Sequence, residues 1–346
     1  PGIVRSGVLD VARLIYGARA LAPAFYGLRT TIVALVLLAL QRIRRPEALK
    51  EHSPVDLGRI LGLDRAPEVK TVRTKLALLA SHGGAERFGR EMARRRVAER
   101  GRMLGFLYVD GYVRVYHGKH TIPKAHVTQL RLAVPATTDY YVNDQQGEPL
   151  FVVTAEANAG MVKMLLRLVP DIRALVGKRR RPLLVFDRGG WSPRLFQELV
   201  ALGFDLLTYR KGRIAPIPVR RFRMRRSRID GRKLAYRLHD GVVTLLKGKL
   251  RLRQVTRLTG DGHQTSILTT RFDLPALHVA YQMFERWRQE NFFKYMREEY
   301  AVDALVEHAV EPDDPTRTVP NPARRAVEKD IKAALAFAAQ RERRMM

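Results

Sequence analysis

Residues 104–116 read LGFLYVDGYVRVY, and the fold that we predict is built around this segment. Aromatic and β-branched residues dominate it, which favours a strand over a helix. The run from Phe106 to Val109 is continuously apolar, as in a strand covered on both faces. Asp110 follows directly, where burial would penalise its charge. Two interpretations stay open: a metal-binding or catalytic carboxylate, or a turn, because Asp-Gly is also a common hairpin dipeptide.

The composition predicts a globular protein with a polyanionic partner. Its 346 residues are enough for a sizeable core and for two or three domains. Lysine and arginine number 63 against 34 aspartates and glutamates, so the net charge is +29. Such a charge opposes a compact monomer by self-repulsion and indicates nucleic acid or an anionic membrane as partner. The absence of cysteine excludes disulfides, cysteine zinc fingers and thiol nucleophiles.

Residues 1–102 are predicted to be helical, because apolar positions recur at helical spacing and arginines occupy the remaining positions. The apolar run at 31–40 is about half as long as a membrane-spanning helix, so we expect a buried helix and no membrane partner. Proline is the first residue and no signal peptide follows. We therefore expect a cytoplasmic protein whose N-terminal part precedes this sequence.

Within this region, residues 55–61 and 68–79 predict two short helices around a tight connection. They fit a helix-turn-helix that binds DNA, and they fit an ordinary helical hairpin at least as well. The residues that would face DNA are Lys70, Arg73 and Lys75. The arginine-rich segment 87–102 predicts a basic helix, either a solvated surface or a phosphate contact.

Strands and helices alternate in the middle of the chain. The predicted elements are strands at 104–116, 130–143 and 149–157, a helix at 161–176 that Pro170 kinks or splits, a buried parallel strand at 182–186, a helix from Ser192, and a strand at 204–209. This order predicts a mixed sheet with helices against it. Asp187 ends the parallel strand, which is where ligands bind in open α/β sheets. Alternatively, Asp187 shapes the loop before Gly189 and Gly190.

The remaining segments are a basic, strand-rich stretch and a long helix. Residues 213–272 predict strands joined by glycine turns, suited to DNA clamping or simply solvated. Residues 273–300 predict a helix in which Glu290 is flanked by Arg286, Lys294 and Arg297. These charges fit either an ordinary surface pair or a metal-phosphate site. His117, His120 and His126 match no standard zinc spacing, so we interpret them as hairpin or DNA-facing residues.

Three acids thus stand at a strand, a strand end and a helix: Asp110, Asp187 and Glu290. This arrangement resembles the DDE transposases of bacterial insertion sequences, specifically the group whose RNase H-like core carries a β-rich insertion before the catalytic glutamate. YVDGYVRVY and LLVFDRGG are similar to the two aspartate motifs of that group. Its Tyr-(2)-Arg-(3)-Glu-(6)-Lys signature is matched by Arg286 and Glu290. Met283 occupies the tyrosine position, Tyr281 lies two residues earlier, and Arg297 replaces the lysine.

The resemblance implies an α/β fold with an RNase H-like mixed sheet flanked by helices. The catalytic core would comprise 103–211 and 273–310, interrupted by the β-rich insertion at 212–272. Residues 1–102 would be a helical region for DNA binding or dimerisation, and 311–346 a linker followed by a basic C-terminal helix.

The resemblance also implies a metal-dependent polynucleotidyl transferase that cleaves transposon ends and transfers strands. Asp110, Asp187 and Glu290 would be both the catalytic residues and the ligands of two Mg²⁺ ions, with Mn²⁺ as an alternative metal. The cations expected to position DNA phosphates are Arg188, Arg210, Lys211, Arg286, Lys294 and Arg297. The implied partner is double-stranded DNA, both transposon ends and target, bound by a homodimer at the bacterial nucleoid. A catalytically silent, transposase-derived DNA-binding or regulatory protein is the alternative, and a metal-dependent RNase of the same fold is a third possibility.

Overall fold

The computed structural model describes residues 2–17, 20–21, 26–43, 45–100, 105–117, 120–127, 131–157, 159–212, 214–284, 287–300, 305–306, 324, 327–328 and 330–335. For residues 100, 117, 287–291 and 305–306 it describes the backbone alone. The chain divides into two compact units. One comprises residues 1–117 and 122–307, and the other comprises residues 118–121 and 308–346, of which 330–335 are helical.

Helices form the first 100 residues, as predicted. They are α1 (Gly2–Arg5), α2 (Val8–Tyr16), α3 (Leu28–Leu40), α4 (Pro54–Leu61), α5 (Val69–Ser81) and α6 (Ala85–Arg100). Local sequence fixes the start of α4, because Ser53 accepts a hydrogen bond from the Asp56 amide at 3.3 Å and Pro54 takes the first helical position. In the parts of the chain that the structure describes, no helix has both the length and the apolarity to cross a membrane.

A single mixed sheet organises the larger unit. Its strands are β1 (Phe106–His117), β2 (Lys124–Val127), β3 (Leu132–Asn143), β4 (Pro149–Ala155), β5 (Leu183–Phe186), β6 (Asp205–Tyr209), β7 (Arg223–Ile229), β8 (Arg232–Leu245), β9 (Leu250–Leu258), β10 (Gln264–Thr269) and β11 (Leu305–Val306). The main path runs β2-β3-β1-β5-β6-β10-β9-β8-β7, with β4 paired to β3 and β11 to β1. Strand β3 is antiparallel to β1, whereas β5 is parallel to both β1 and β6. The predicted mixed sheet is therefore confirmed.

Four more helices follow in the described part of the larger unit: α7 (Met161–Val176), α8 (Pro193–Ala201), α9 (Ala276–Phe284) and α10 (Trp287–Tyr300). Helix α7 continues through Pro170, so the predicted split is wrong. A proline inside a helix costs about 3 kcal/mol. Here Leu165, Leu168 and Ile172, all fully buried, hold both halves of the helix against the sheet. Residues 285–286, between α9 and α10 in the predicted long helix, lie outside the described residues.

The two faces of the central strands pack against different helices. Leu107, Val109 and Phe186 belong to a core shared with α7 and α8, and we call this side the α7 face. Tyr108 and Val185, which alternate with them, belong to a core shared with α9, on the side that we call the α9 face. Burial on both sides explains the continuous apolar runs of β1 and β5.

The strands predicted within 213–272 are present as β7 to β10. They are antiparallel to one another and join the central sheet where β10 pairs with β6. They therefore extend the sheet beyond β6, and β7 is its outermost strand on that side. The predicted linker at 311–322 lies outside the described residues, as does most of the predicted C-terminal helix.

Candidate active site

Asp110 and Asp187 occupy equivalent positions on neighbouring parallel strands. The paired residues of β1 and β5 end with Val109 opposite Phe186, and each aspartate comes directly after its member of this pair. Adjacent strands in a sheet lie about 4.8 Å apart. The main chains of two acids separated by 77 positions in sequence thus lie side by side at the carboxyl ends of β1 and β5.

Asp110 lies within a strand, so its interpretation as a turn residue is wrong. Strand β1 continues to His117, and Asp110 and Gly111 pair with Tyr141 and Tyr140 of β3. The carboxylate of Asp110 accepts a hydrogen bond from the Gly111 amide at 3.0 Å. A Cβ at position 111 would meet the Tyr140 ring at 3.0 and 3.2 Å. The glycine therefore serves close packing against an aromatic ring.

Asp187 shapes the loop that follows β5 and also ends the strand. Its carboxylate accepts a hydrogen bond from the Gly189 amide at 2.7 Å and so caps the short 3₁₀ turn at residues 188–190. Its main-chain carbonyl accepts a hydrogen bond from the Thr208 hydroxyl at 3.1 Å. The backbone of Asp187 is thereby held from β6, and its half-buried side chain is held by its own loop.

The pKa of the Tyr140 hydroxyl depends on both carboxylates, and Tyr140 was not predicted as a site residue. Its hydroxyl donates a hydrogen bond to the Ala159 carbonyl, next to the start of α7. Burial and, to a smaller extent, the charges of Asp187 and Asp110 together raise the pKa of Tyr140 to about 12. Both carboxylates therefore act on a single hydroxyl. No local sequence signal distinguishes this tyrosine from its neighbour Tyr141.

Helices α9 and α10 contact β1 on both sides of Asp110. The Tyr108 hydroxyl donates a hydrogen bond to the Gln282 carbonyl of α9 at 3.2 Å. The ring of Tyr112 stacks on Phe293 of α10, with centroids 5.2 Å apart and planes inclined by 15°. Asp110 lies midway between these two tyrosines along the strand, and alternation places all three on the α9 face.

Glu290 belongs to α10, three residues before Phe293. Its side chain lies outside the described residues, and so does all of Arg286. The convergence of the third acid with Asp110 and Asp187 therefore remains a prediction. Among the side chains that the structure describes, no group of three or more histidines and acids could hold a metal ion.

Three of the predicted DNA-binding cations are exposed: Arg188, Lys211 and Lys294. The Arg188 guanidinium lies 5.5 Å from the centroid of the Tyr209 ring, beside Asp187 in sequence. Arg297 is half-buried. Arg210 is half-buried as well and donates a hydrogen bond to the Gln254 side chain, and burial lowers its pKa.

The predicted helix pair near the N-terminus is present as α4 and α5, but Lys75 does not face outward. Its ammonium group donates a hydrogen bond to the Leu21 carbonyl at 2.9 Å, and 8% of the residue is exposed. The prediction that Lys75 faces DNA is therefore wrong. Arg73 is exposed and forms an ion pair with Glu47, and Lys70 is exposed. His120 and His126 are both exposed, and the side chain of His117 is not described.

Comparison with known proteins identifies a family. No curated protein matches the sequence. Similar solved structures include a piggyBac transposase synaptic complex with hairpin DNA, at 10% identity over 87% of this chain and 66% of that one, with a TM-score of 0.44. They also include a Mos1 transposase paired-end complex with the left transposon end, at 12% identity over 51% of this chain and 57% of that one, with a TM-score of 0.22. The chain spans less than two thirds of the length of either structure. A family model described as "Transposase protein" matches residues 1–345, almost the whole sequence, and the chain accordingly belongs to this family of transposase proteins.

Proposed function

We propose that this protein is a DNA transposase that cleaves transposon ends and transfers DNA strands, using Asp110, Asp187 and Glu290. The observation that carries the proposal is the register of β1 and β5, which sets Asp110 beside Asp187. The strand order supports an RNase H-like core, with three antiparallel strands followed by two parallel ones and helices between them. Strands β7 to β10, which precede the helix of Glu290, agree with a β-rich insertion at that point in the chain.

The side chains at this edge of the sheet fit a divalent metal. Carboxylate oxygens are the ligands that Mg²⁺ and Mn²⁺ prefer. Two adjacent carboxylates repel each other, and their charges already raise the pKa of Tyr140. Asp110, Asp187 and Glu290 would hold the metal. When bound, a metal pair supplies an activated water or 3′-hydroxyl and stabilises the leaving oxygen of the phosphodiester.

The protein's own residues set the geometry of this site. Gly111 lets the Tyr140 ring pack against the strand, which fixes the backbone beside Asp110. Thr208 and the Gly189 amide position Asp187. The contacts that α9 and α10 make with Tyr108 and Tyr112 determine where the backbone of Glu290 lies relative to Asp110. Because the strand holds Asp110 rigidly, the docking of α10 governs the spacing of the third acid.

The cations near this edge would hold DNA phosphates. For Arg286 the prediction rests on sequence alone, and for Arg188, Lys211 and Lys294 it rests on sequence together with their exposure to solvent. Arg297 and Arg210 would contribute from half-buried positions, Arg210 through the part of its guanidinium that Gln254 does not engage. We further propose that a homodimer assembles on transposon-end and target DNA in the bacterial cytoplasm.

Cleavage of duplex DNA by the acid variants tests the proposal. Asp110→Asn, Asp187→Asn and Glu290→Gln are each expected to abolish Mg²⁺-dependent nicking of a duplex carrying the element's end sequence, while affinity for that duplex persists. Glu198→Gln is the matched control, because Glu198 is an exposed acid of α8. Cleavage by the acid variants at the parent's rate would disprove the assignment of the acids.

One observation favours a catalytically silent, DNA-binding relative instead. Met283, at the signature tyrosine position, is fully buried in the core of the α9 face. The nearby Tyr281 is engaged elsewhere, since its hydroxyl donates a hydrogen bond to Asp230 at 2.9 Å. A parent protein that binds transposon ends but never cuts them would establish this alternative.

A further inference from the structure

The outermost ribbon of the sheet, formed by β7 and β8, carries cations on the face that α9 does not cover. Ile229, Leu234 and Tyr236 contact the core of the α9 face, so these three residues mark the side of the ribbon that faces α9. Residues that alternate with them point to the opposite side. The cations on that opposite side are Arg226, Arg228, Lys233 and Arg237, which we call the basic face.

All four residues of the basic face are exposed. In the described structure none of them pairs with a carboxylate, and Arg228 donates a hydrogen bond to the Gly231 carbonyl at 3.1 Å. The two acids of the ribbon contact residues outside the basic face. Asp230 accepts a hydrogen bond from Tyr281, and Asp240 forms an ion pair with Arg253 at 2.7 Å. The basic face is therefore a patch of positive charge without internal compensation.

This arrangement costs stability in the free protein. Arg228 lies directly opposite Lys233, and Arg226 lies opposite Ala235, diagonal to both Lys233 and Arg237. Like charges directly opposite each other on antiparallel strands are destabilising. Binding of a polyanion would replace this repulsion by attraction, because each cation would then face a phosphate. The counterions condensed on that phosphate backbone would be released.

The chemistry of the basic face separates duplex DNA from other polyanions. Where β7 and β8 pair, the other side chains on this side are Met224 and Ala235, so no phenylalanine, tyrosine or tryptophan ring is available for an unpaired base to stack on; the next ring along β8, that of His239, is half-buried. Its one large apolar side chain is Met224, which is 50% exposed, whereas an interfacial segment enters a membrane with a whole apolar face. The other side of the ribbon also carries exposed cations, Arg223, Arg225 and Arg232, so positive charge lies on both sides of the free edge of β7. Such a surface suits the sugar-phosphate backbone of a duplex.

We propose that the basic face of the β7–β8 ribbon holds the phosphate backbone of double-stranded DNA outside the catalytic edge, without reading its sequence. This inference rests on the proposed function and deepens it, because it assigns a duplex-holding surface to residues apart from Asp110 and Asp187. The ribbon would keep the duplex bound through the charge of four side chains.

Salt-dependent binding of a labelled random-sequence duplex, measured by fluorescence anisotropy, tests the assignment. Arg226→Gln combined with Arg237→Gln is expected to reduce the slope of log affinity against log salt by about 1.8, since each lost phosphate contact is worth about 0.9. Affinity in ~0.1 M salt is expected to fall roughly 10- to 100-fold. The control is Lys178→Gln combined with Arg179→Gln, which removes the same charge from the exposed loop before β5, at the opposite end of that strand from Asp187.

Three further measurements complete the test. Arg226→Lys with Arg237→Lys is expected to restore the salt slope, because it restores the charge. The glutamine variant is expected to melt no lower than the parent at low salt, since it removes like-charge repulsion. Equal salt slopes for the glutamine variant and the control would overturn the proposal, as would tighter binding of the parent to single-stranded RNA or to phosphatidylserine vesicles than to duplex DNA. If one of these contrary results is obtained and the parent still cleaves transposon ends, the assignment of the ribbon fails while the proposed function stands.

Discussion

Phe293 of α10 packs on Tyr112 of β1, with ring centroids 5.2 Å apart and planes inclined by 15°. Phe293 also contacts the Tyr141 ring edge-on at 4.7 Å, and 6% of the residue is exposed. Tyr141 is the residue paired with Asp110 across β1 and β3. This aromatic cluster thus joins the helix of Glu290 to the two strands at Asp110.

Phe293→Ala is expected to lower the free energy of unfolding by about 3 kcal/mol, as for other large-to-small substitutions of buried phenylalanine. It is also expected to reduce DNA cleavage at temperatures where the variant remains folded, because α10 loses its contact with β1. Thermal melting and end-cleavage assays measure the two effects. Tyr295→Ala, at a position of the same helix that is 50% exposed, is the control and should leave both near the parent's values. Full cleavage by a folded Phe293→Ala protein would contradict the role of this contact.

Gly111→Ala is expected to destabilise the protein by about 1–3 kcal/mol, because overpacking forces side chains or backbone to move. The added Cβ would lie 3.0 Å from the Tyr140 ring. Gly105→Ala provides the control one residue before β1, since a Cβ there meets nothing within 4 Å. Denaturant unfolding compares the two variants. In a Tyr140→Val background Gly111→Ala should cost less stability than it does in the parent, and equal stability of the Gly111→Ala and Gly105→Ala proteins would contradict this explanation.

The local parts of the site could be predicted from sequence. Phe106 to Val109 and the LLVF run of β5 are apolar enough to indicate strands buried on both faces, and Ser192 with Pro193 indicates a helix start. Asp187 was placed at the end of its strand by the same pattern. Its neighbour Asp110 could not be assigned locally, because Asp-Gly fits a turn as well as a strand. Only the long-range pairing of Asp110 and Gly111 with β3 decides between these interpretations.

Other features depend on tertiary contacts, which cannot be predicted from the periodic spacing of apolar residues in the sequence. Strand β2 is a four-residue segment in a histidine- and lysine-rich stretch, too short for an alternation pattern to stand out. Tyr140 matters because its hydroxyl lies near two acids from other strands. Pro170 stays within a continuous helix because the buried face of α7 compensates for the lost hydrogen bond.

Lys75→Met is expected to destabilise the protein by about 1–3 kcal/mol, because it leaves the Leu21 carbonyl without its buried donor. Its affinity for duplex DNA should match the parent's, since the ammonium group points inward. Lys70→Met, at an exposed position of the same helix, is the control and should change stability by no more than about 0.5 kcal/mol. Thermal melting and anisotropy give the two readouts. Weaker DNA binding by Lys75→Met at unchanged stability would contradict the inward orientation.

The pKa of Tyr140 is expected to fall below about 12 in Asp110→Asn and in Asp187→Asn, because each substitution removes a negative charge that raises it. Burial, the first cause of the shift, keeps the value above the ordinary 10.0. The folded-state pKa is raised, so Tyr140 contributes stability that is present below pH 10 and is lost as the pH rises from 10 to about 12. Tyrosine ζ-carbon NMR, assigned with Tyr140→Phe, measures the value. An unchanged pKa in both variants would show that the carboxylates lie farther from the hydroxyl.

Binding of Mg²⁺ is expected to change the Tyr140 ζ-carbon signal at neutral pH, because a cation held by Asp110 and Asp187 would offset the two charges that act on the hydroxyl. The change should saturate with Mg²⁺ concentration in the parent and disappear in the Asp110→Asn, Asp187→Asn double variant. Tyr295, an exposed ring on α10, provides the internal control and should be unaffected. Glu290→Gln should weaken the apparent affinity for Mg²⁺ if the third acid is a ligand. Equal Mg²⁺ titrations of the parent and Glu290→Gln would leave Asp110 and Asp187 as the metal ligands and remove Glu290 from the set.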